Sequence, residues 1–153
     1  MFGFRESLLA NFAKMDKVYR RCCFDAVRDL DEFTQNEILV LMFLTNPDNV
    51  PMDTATDISV LRSVSKGMVA RSVESLSRRG YLRQRRDERD RRVVHLIPTE
   101  QCEEAGRRFA EVRGAFTRRM EQGLSTDDRR VMERVSRLFE ENLAQLMEGK
   151  EEI

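Results

Sequence analysis

Apolar and polar positions divide the chain into amphipathic stretches separated by short polar punctuation. Leu8, Phe12, Met15, Tyr19, Cys22 and Ala26 recur at intervals of three and four, with Lys14, Lys17, Arg20 and Arg21 between them. That is the period of a helix with one apolar stripe. The acidic cluster Asp29, Asp31 and Glu32 closes it. Thr34 with Glu37 three residues on forms a capping box, and Phe33 can staple onto Ile38 across it. The run Ile38–Leu44 is apolar all round, which suits a buried strand as well as a helix; the capping box favours a helix packed on several sides. Asn46-Pro47-Asp48-Asn49 ends that element as a turn.

After an extended piece at Val50-Pro51-Met52, two short helices follow. Asp53 or Thr54 caps the first, with Ala55, Ile58 and Leu61 inward. Ser63 or Ser65 caps the second, which runs to Arg79 with Val69, Val73 and Leu76 inward and Gly80 in the place of a C-terminal glycine. Tyr81–Arg85 and Val93–Ile97 read as strands flanking the turn Asp87-Glu88-Arg89-Asp90. Thr99 and Glu100 open a long helix carrying Cys102, Ala105, Phe109, Val112, Phe116 and Met120; Gly123 breaks it. Ser125 and Asp128 cap a last helix through Val131, Val135, Leu138, Phe139, Leu143 and Leu146. The predicted fold class is therefore mainly α with a small β-hairpin. It is a winged helix-turn-helix (33–98) flanked by an N-terminal helix (1–32) and C-terminal helices (99–153). The terminal stripes have little other core to meet, so a homodimer seam is expected of them.

Charge changes the picture more than composition does. Lys plus Arg and Asp plus Glu balance at 27 each. Yet residues 62–92 hold eleven basic against four acidic residues, a net of roughly +7, while residues 1–61 and 125–153 are net acidic. A concentrated basic block in a neutral chain is the electrostatic footprint of a polyanion partner. Three cysteines without a C-x-x-C pair, and a single histidine, argue against a disulfide framework or a zinc site, so neither metal nor cofactor is expected. No glycine-rich phosphate loop or catalytic Cys–His pair points to an enzyme. No signal peptide or apolar run of membrane-spanning length is evident, and a cytoplasmic protein without membrane contact, nucleoid-associated when DNA-bound, is expected.

A helix-turn-helix presents its second helix to the major groove, and an added wing reaches backbone or minor groove. On the second helix, Ser65, Lys66, Gly67, Met68, Arg71, Ser75 and Arg78 are the candidate DNA contacts. Arg71 is the base reader, because its guanidinium can bond guanine O6 and N7 together. Lys66, Arg78 and Arg79 are expected on phosphates. In the wing, Arg85, Arg86, Arg89, Arg91 and Arg92 suit a narrow, electronegative minor groove. Asp87 and Asp90 make sense as braces that orient arginines. Cys22 and Cys23 fit packing or surface roles better than redox sensing, Cys102 fits the core, and His95 is expected near solvent on the wing with no catalytic role.

Val64-Ser65-Lys66-Gly67-Met68-Val69-Ala70-Arg71, then Leu76–Leu82, then Asp87-Glu88-Arg89-Asp90-Arg91-Arg92 followed by Leu96 and Thr99, resemble the multiple-antibiotic-resistance regulator (MarR) family of bacterial transcription factors. The resemblance implies terminal helices interlocked into a dimer, wing arginines including Arg92 at the minor groove, and Asp90 bracing an arginine. Pro98, Ser72, Gly67 and Met68 depart from the family pattern, which bears on operator sequence more than on fold. The expected function is a homodimeric, ligand-responsive repressor on a pseudo-palindromic double-stranded DNA operator. A small aromatic or lipophilic effector would sit among Phe12, Met15, Tyr19, Phe43, Phe109 and Phe116. The alternative is a winged-helix module for protein or RNA contacts without operator specificity.

Overall fold

A computed structural model of the chain describes residues 4–148, with side chains from Ser7 onward; the expected outer boundaries at residues 1 and 153 lie outside these. The helices are α1 (Phe4–Val27), α2 (Gln35–Leu44), α3 (Ala55–Leu61), α4 (Lys66–Arg78), α5 (Glu103–Met120) and α6 (Thr126–Met147). The hairpin strands β1 (Leu82–Arg86) and β2 (Val94–Pro98) lie between α4 and α5. The chain divides into two compact units, Met1–Ala115 and Phe116–Ile153.

Within the first unit, α2 is the central element. Its capping box forms as expected, with the Thr34 hydroxyl accepting the Glu37 N–H at 3.2 Å and the Glu37 carboxylate accepting the Thr34 N–H at 2.8 Å. Every residue from Glu37 to Phe43 is buried, which settles the helix-or-strand ambiguity in favour of a helix enclosed on all sides. Around it pack Cys23 and Val27 of α1, Ile58 of α3, Val69, Val73 and Leu76 of α4, Leu82 and Leu96 of the hairpin, and Ala105 and Phe109 of α5. Truncating a fully buried side chain here, such as Leu41→Ala, should cost about 2–5 kcal/mol.

Local details correct four expectations. On α1 it is Cys23, not Cys22, that enters the core; Cys22 is exposed. Leu61 is half exposed, because α3 stops after seven residues and only Ile58 is fully enclosed. Thr99 does not cap a helix; its hydroxyl donates to Gly80 O at 2.6 Å, and Glu100–Cys102 form a single 3-10 turn before α5 begins. β2 runs one residue beyond the expected strand end at Ile97, to Pro98, which pairs with Leu82.

Glu37 joins local and long-range structure. It is 3% exposed, and besides capping α2 it accepts the Ser75 hydroxyl at 2.6 Å and the Arg79 guanidinium at 3.0 Å. Arg79 also pairs with Asp31 at 2.7 Å and lies over the rings of Phe33 and Tyr81. Burial pushes the Glu37 carboxyl up, but donation from Ser75 and Thr34 and the Arg79 charge outweigh it, leaving its pKa below the ordinary 4.5. A carboxyl depressed in the native state contributes stability that is present above its unfolded pKa and is lost as pH falls through the native one. Glu37→Gln is therefore expected to lower unfolding free energy by about 2 kcal/mol at neutral pH, for loss of a charged hydrogen-bond acceptor. In urea titrations the gap between variant and wild type should narrow as the pH falls below the ordinary carboxyl value of 4.5.

The second unit contains α6, whose capping box is complete: the Ser125 hydroxyl accepts the Asp128 N–H at 3.1 Å, and Asp128 accepts the Ser125 N–H at 2.9 Å. Gly123, at φ 90°, makes the turn that precedes it. No residue of α6 is buried, although its stripe contains Val131, Leu138, Phe139, Leu143 and Leu146.

Candidate DNA interface

The helix-turn-helix is built from α3 and α4. Thr54 caps α3, accepting the Asp57 N–H at 3.1 Å, and Ser65 caps α4, accepting the Met68 N–H at 3.2 Å. Ser63 cannot share the second role: it occupies a left-handed turn (φ 50°) closed by Val64 N–H to Ser59 O at 3.0 Å. At the far end, Gly80 (φ 85°) completes a Schellman turn, with Tyr81 N–H to Leu76 O at 2.9 Å and Gly80 N–H to Ser77 O at 3.1 Å. A Cβ at position 80 would also come within 2.6 Å of the Gln101 side chain. The hairpin leaves this turn directly, and Gln84 of β1 donates to the Ser77 hydroxyl at 3.1 Å. The recognition-helix candidate and the wing are thus fastened to each other.

The expected contact residues separate into two groups. Ser65, Lys66, Gly67, Arg71 and Arg78 are exposed, as are Arg83, Arg85, Arg86, Arg89, Arg91 and Arg92. Ser75 and Met68 are not open in this way. The Ser75 hydroxyl is given to Glu37, and Met68 is half-buried against the core with its carbonyl accepting the Ser72 hydroxyl at 3.1 Å. Arg79, expected on a phosphate, is committed to Asp31 and Glu37. Glu37 lies 38 positions from Ser75, which is why helical periodicity alone left Ser75 on the outer face.

The arginines also differ in their partners. Arg20, Arg21, Arg107, Arg108, Arg129 and Arg130 each have a carboxylate within 4.0 Å. Among the described residues, Arg71, Arg78, Arg83, Arg85, Arg86, Arg89 and Arg91 have none. Arg92 alone in the wing is paired, with Asp90 at 3.2 Å, and stays 91% exposed. Asp90 thus meets an arginine two residues on. Asp87 does something else: one oxygen accepts the N–H groups of Arg89 and Asp90, the other faces His95 Nε2 at 3.2 Å. Hydrogen bonds from the Asp90 N–H, His95 and the Arg89 N–H hold its pKa at about 2. His95, expected near solvent on the wing, lies on β2 between Asp87 and Asp53 with its side chain 23% exposed.

The aromatic residues expected to line an effector pocket are not brought together. Phe43 and Phe109 are sealed in the core, Phe12 is 45% exposed, Met15 is half-buried, and Phe116 falls in the second unit. Tyr19 alone of the six lines a cleft of about 380 Å³ between α1 and α2. Phe24, Ile38, Leu39 and Met42 supply its apolar wall, and Arg62 stands at its edge with its guanidinium 5.7 Å from the centre of the Phe43 ring. Burial lowers the Arg62 pKa, as does the nearby Arg20, and no carboxylate comes within 4.0 Å of it among the described residues. Sequence reasoning passed over Arg62 because it lies in the turn between α3 and α4, outside either apolar stripe. Burial pushes the Cys23 thiol up to about 11, which makes a reactive thiolate there unfavourable at neutral pH.

Residues 32–93, which span the helix-turn-helix and most of the wing, match the sequence pattern of the MarR family. In this segment the chain is similar to the MarR family. The family is one of transcriptional regulators, and solved structures of MarR proteins repeat the fold over nearly the whole chain. A MarR transcriptional regulator from Methanosarcina mazei Go1 is 18% identical, with a TM-score of 0.70 over 91% of this chain and 98% of its own. A putative MarR family regulator from Listeria monocytogenes, complexed with 26mer DNA, is 11% identical, with a TM-score of 0.74 over 100% and 99%. Bordetella bronchiseptica BpsR, whose DNA binding is regulated by 6-hydroxynicotinic acid, is 17% identical, with a TM-score of 0.61 over 92% and 97%. No curated protein sequence matches this chain. No helix among its described residues is long and apolar enough to cross a membrane.

Gly67 gives a direct test of the outer face of α4. It is exposed, and an added Cβ would meet only the Arg71 guanidinium at 3.9 Å. Gly67→Ala should raise stability by about 0.5 kcal/mol, visible as a higher melting temperature. A weakening of DNA binding by the same substitution would mark close approach of DNA backbone or bases at this position.

Proposed function

We propose that this protein is a MarR-family regulator: a homodimeric, ligand-responsive repressor that binds a pseudo-palindromic DNA operator. In this reading α4 enters the major groove and the β1–β2 wing reaches the minor groove. The observation that carries it is the concentration of exposed arginines on two adjoining elements: Arg71 and Arg78 on α4, and Arg83, Arg85, Arg86, Arg89 and Arg91 on the wing, have no carboxylate within 4.0 Å among the described residues. Uncompensated guanidinium groups on two adjoining elements create the positive field a phosphate backbone requires. Arg71 is the base reader; Lys66 and Arg78 hold phosphates; Arg85, Arg86, Arg89, Arg91 and Arg92 act at the wing. The DNA complex of the Listeria relative supports this placement. Exposed apolar residues on α1 (Leu9, Phe12) and α6 (Leu138, Phe139, Leu143) support a dimer, since faces of this kind are stable in water when covered.

Selection from random duplexes should return pseudo-palindromes whose half-sites are about one helical turn apart. In anisotropy titrations, Arg71→Ala should erode discrimination by about 1–3 kcal/mol per half-site guanine. Arg85→Ala should weaken all duplexes alike and flatten the salt slope by about one per protomer. Binding that ignores salt would overturn the reading and favour a protein-interaction module.

The cleft between α1 and α2 supports ligand response. An apolar wall ending on an arginine with no carboxylate within 4.0 Å among the described residues suits an aromatic carboxylate, the class to which the effector of BpsR belongs. A ligand there can shift the DNA-competent population only by binding one state better than the other. 6-Hydroxynicotinate or benzoate should release the wild-type protein from its operator and leave Arg62→Gln bound. An equal response in both proteins would remove Arg62 from the site.

A further inference from the structure

His95 occupies an arrangement that DNA contact by itself does not explain. Its Nδ1 is 2.7 Å from Asp53 Oδ1 and its Nε2 is 3.2 Å from Asp87 Oδ2, so both ring nitrogens face carboxylate oxygens. An ionised carboxylate can only accept, and the sole form of imidazole with two N–H donors is the cation. Asp87 is ionised, because its second oxygen takes the N–H groups of Arg89 at 2.7 Å and Asp90 at 2.8 Å. The histidine side chain is 23% exposed, so these bonds are partly shielded from water.

The two carboxylates belong to different parts of the molecule. Asp53 precedes α3, where its carbonyl accepts the Leu96 N–H at 2.8 Å and Thr54 bridges to His95. Asp87 begins the turn at the wing tip. We propose that His95 is a positioning residue for the wing: a doubly donating imidazolium that fixes the β1–β2 turn to the entry of α3, so that the wing is held for DNA only while the ring is protonated. The role in DNA binding rests on the function proposed above; the clamp itself does not.

Loss of the proton leaves one N–H. The shorter bond to Asp53 retains it, and the opposite lone pair then faces the Asp87 carboxylate, which loosens the turn. The backbone bond between Leu96 and Asp53 is untouched, so the strand root stays in place. Other charges near the ring are Arg85, directly across the ladder, and Arg86, Glu88 and Arg89 around the same hollow. The hydrogen bonds to Asp53 and Asp87 raise the His95 pKa above 6.5, against a smaller opposing effect of burial. For a group raised in this way, the bonded state is complete below the ordinary value and is lost as pH rises through the raised one.

His95 is the single histidine of the chain, so its ring resonances need no assignment. We expect the ring to titrate above 6.5, the amides of residues 87–90 to exchange faster above the midpoint after correction for intrinsic rates, and duplex affinity to fall about tenfold across it. His95→Gln should bind at the weaker level with a flat pH profile, and Asp53→Asn should move the midpoint to lower pH. A ring that titrates at or below 6.5, or a His95→Gln profile that copies the wild type, overturns the proposal. Absence of duplex binding at every pH, with ring titration and amide exchange as expected, overturns the proposed function and upholds the clamp.

Discussion

The winged core is organised around one buried carboxylate. Glu37 caps its own helix, takes the hydroxyl of Ser75 from the middle of α4 and meets Arg79 at the end of α4. A buried acid is costly unless its lone pairs are filled, and here the donors come from the two helices whose relative placement matters most. Apolar packing between α2 and α4 would tolerate small rotations of one helix on the other. The directed bonds of Glu37 do not, so they define which face of α4 turns outward. The exposure of Arg71 and Arg78 follows from that choice as much as from their own polarity.

Much of this architecture could be read from local signals. The Thr34/Glu37 and Ser125/Asp128 capping boxes lie within four residues, and the glycine after α4 sits at the position its left-handed turn requires. These are interactions between neighbours, and neighbours are visible in a linear string. The misreadings concern long separations or a one-residue phase. Ser75 and Arg79 meet Glu37 across 38 and 42 positions, and His95 meets Asp53 across 42. Cys22 and Cys23 exchanged roles because a helical stripe read from residue types tolerates an error of about 100°.

The candidate effector site shows the same limit more sharply. Aromatic residues at helical spacing suggested a lined pocket, but Phe43 and Phe109 face the interior of a close-packed core, which has no room for a ligand. An open cleft lies instead beside Tyr19 and Arg62, between α1 and α2. Where volume remains depends on how helices cross, and sequence periodicity is silent on crossing.

The root of the hairpin carries one further consequence. The carbonyls of Gly80 and Tyr81 accept the Thr99 hydroxyl, the Thr99 N–H at 3.0 Å and the Cys102 thiol at 2.9 Å, so both strands are anchored where they leave the body. Mechanically the wing is a cantilever, built in at one end and propped partway along by His95. Thermal displacement of a cantilever grows with distance beyond its last support. Arg89 and Arg91 therefore sweep the largest arc while Arg83 and Arg85 keep their station. Such a beam follows the contour of whatever it rests on, a property better suited to following groove width than to reading the edge of one base.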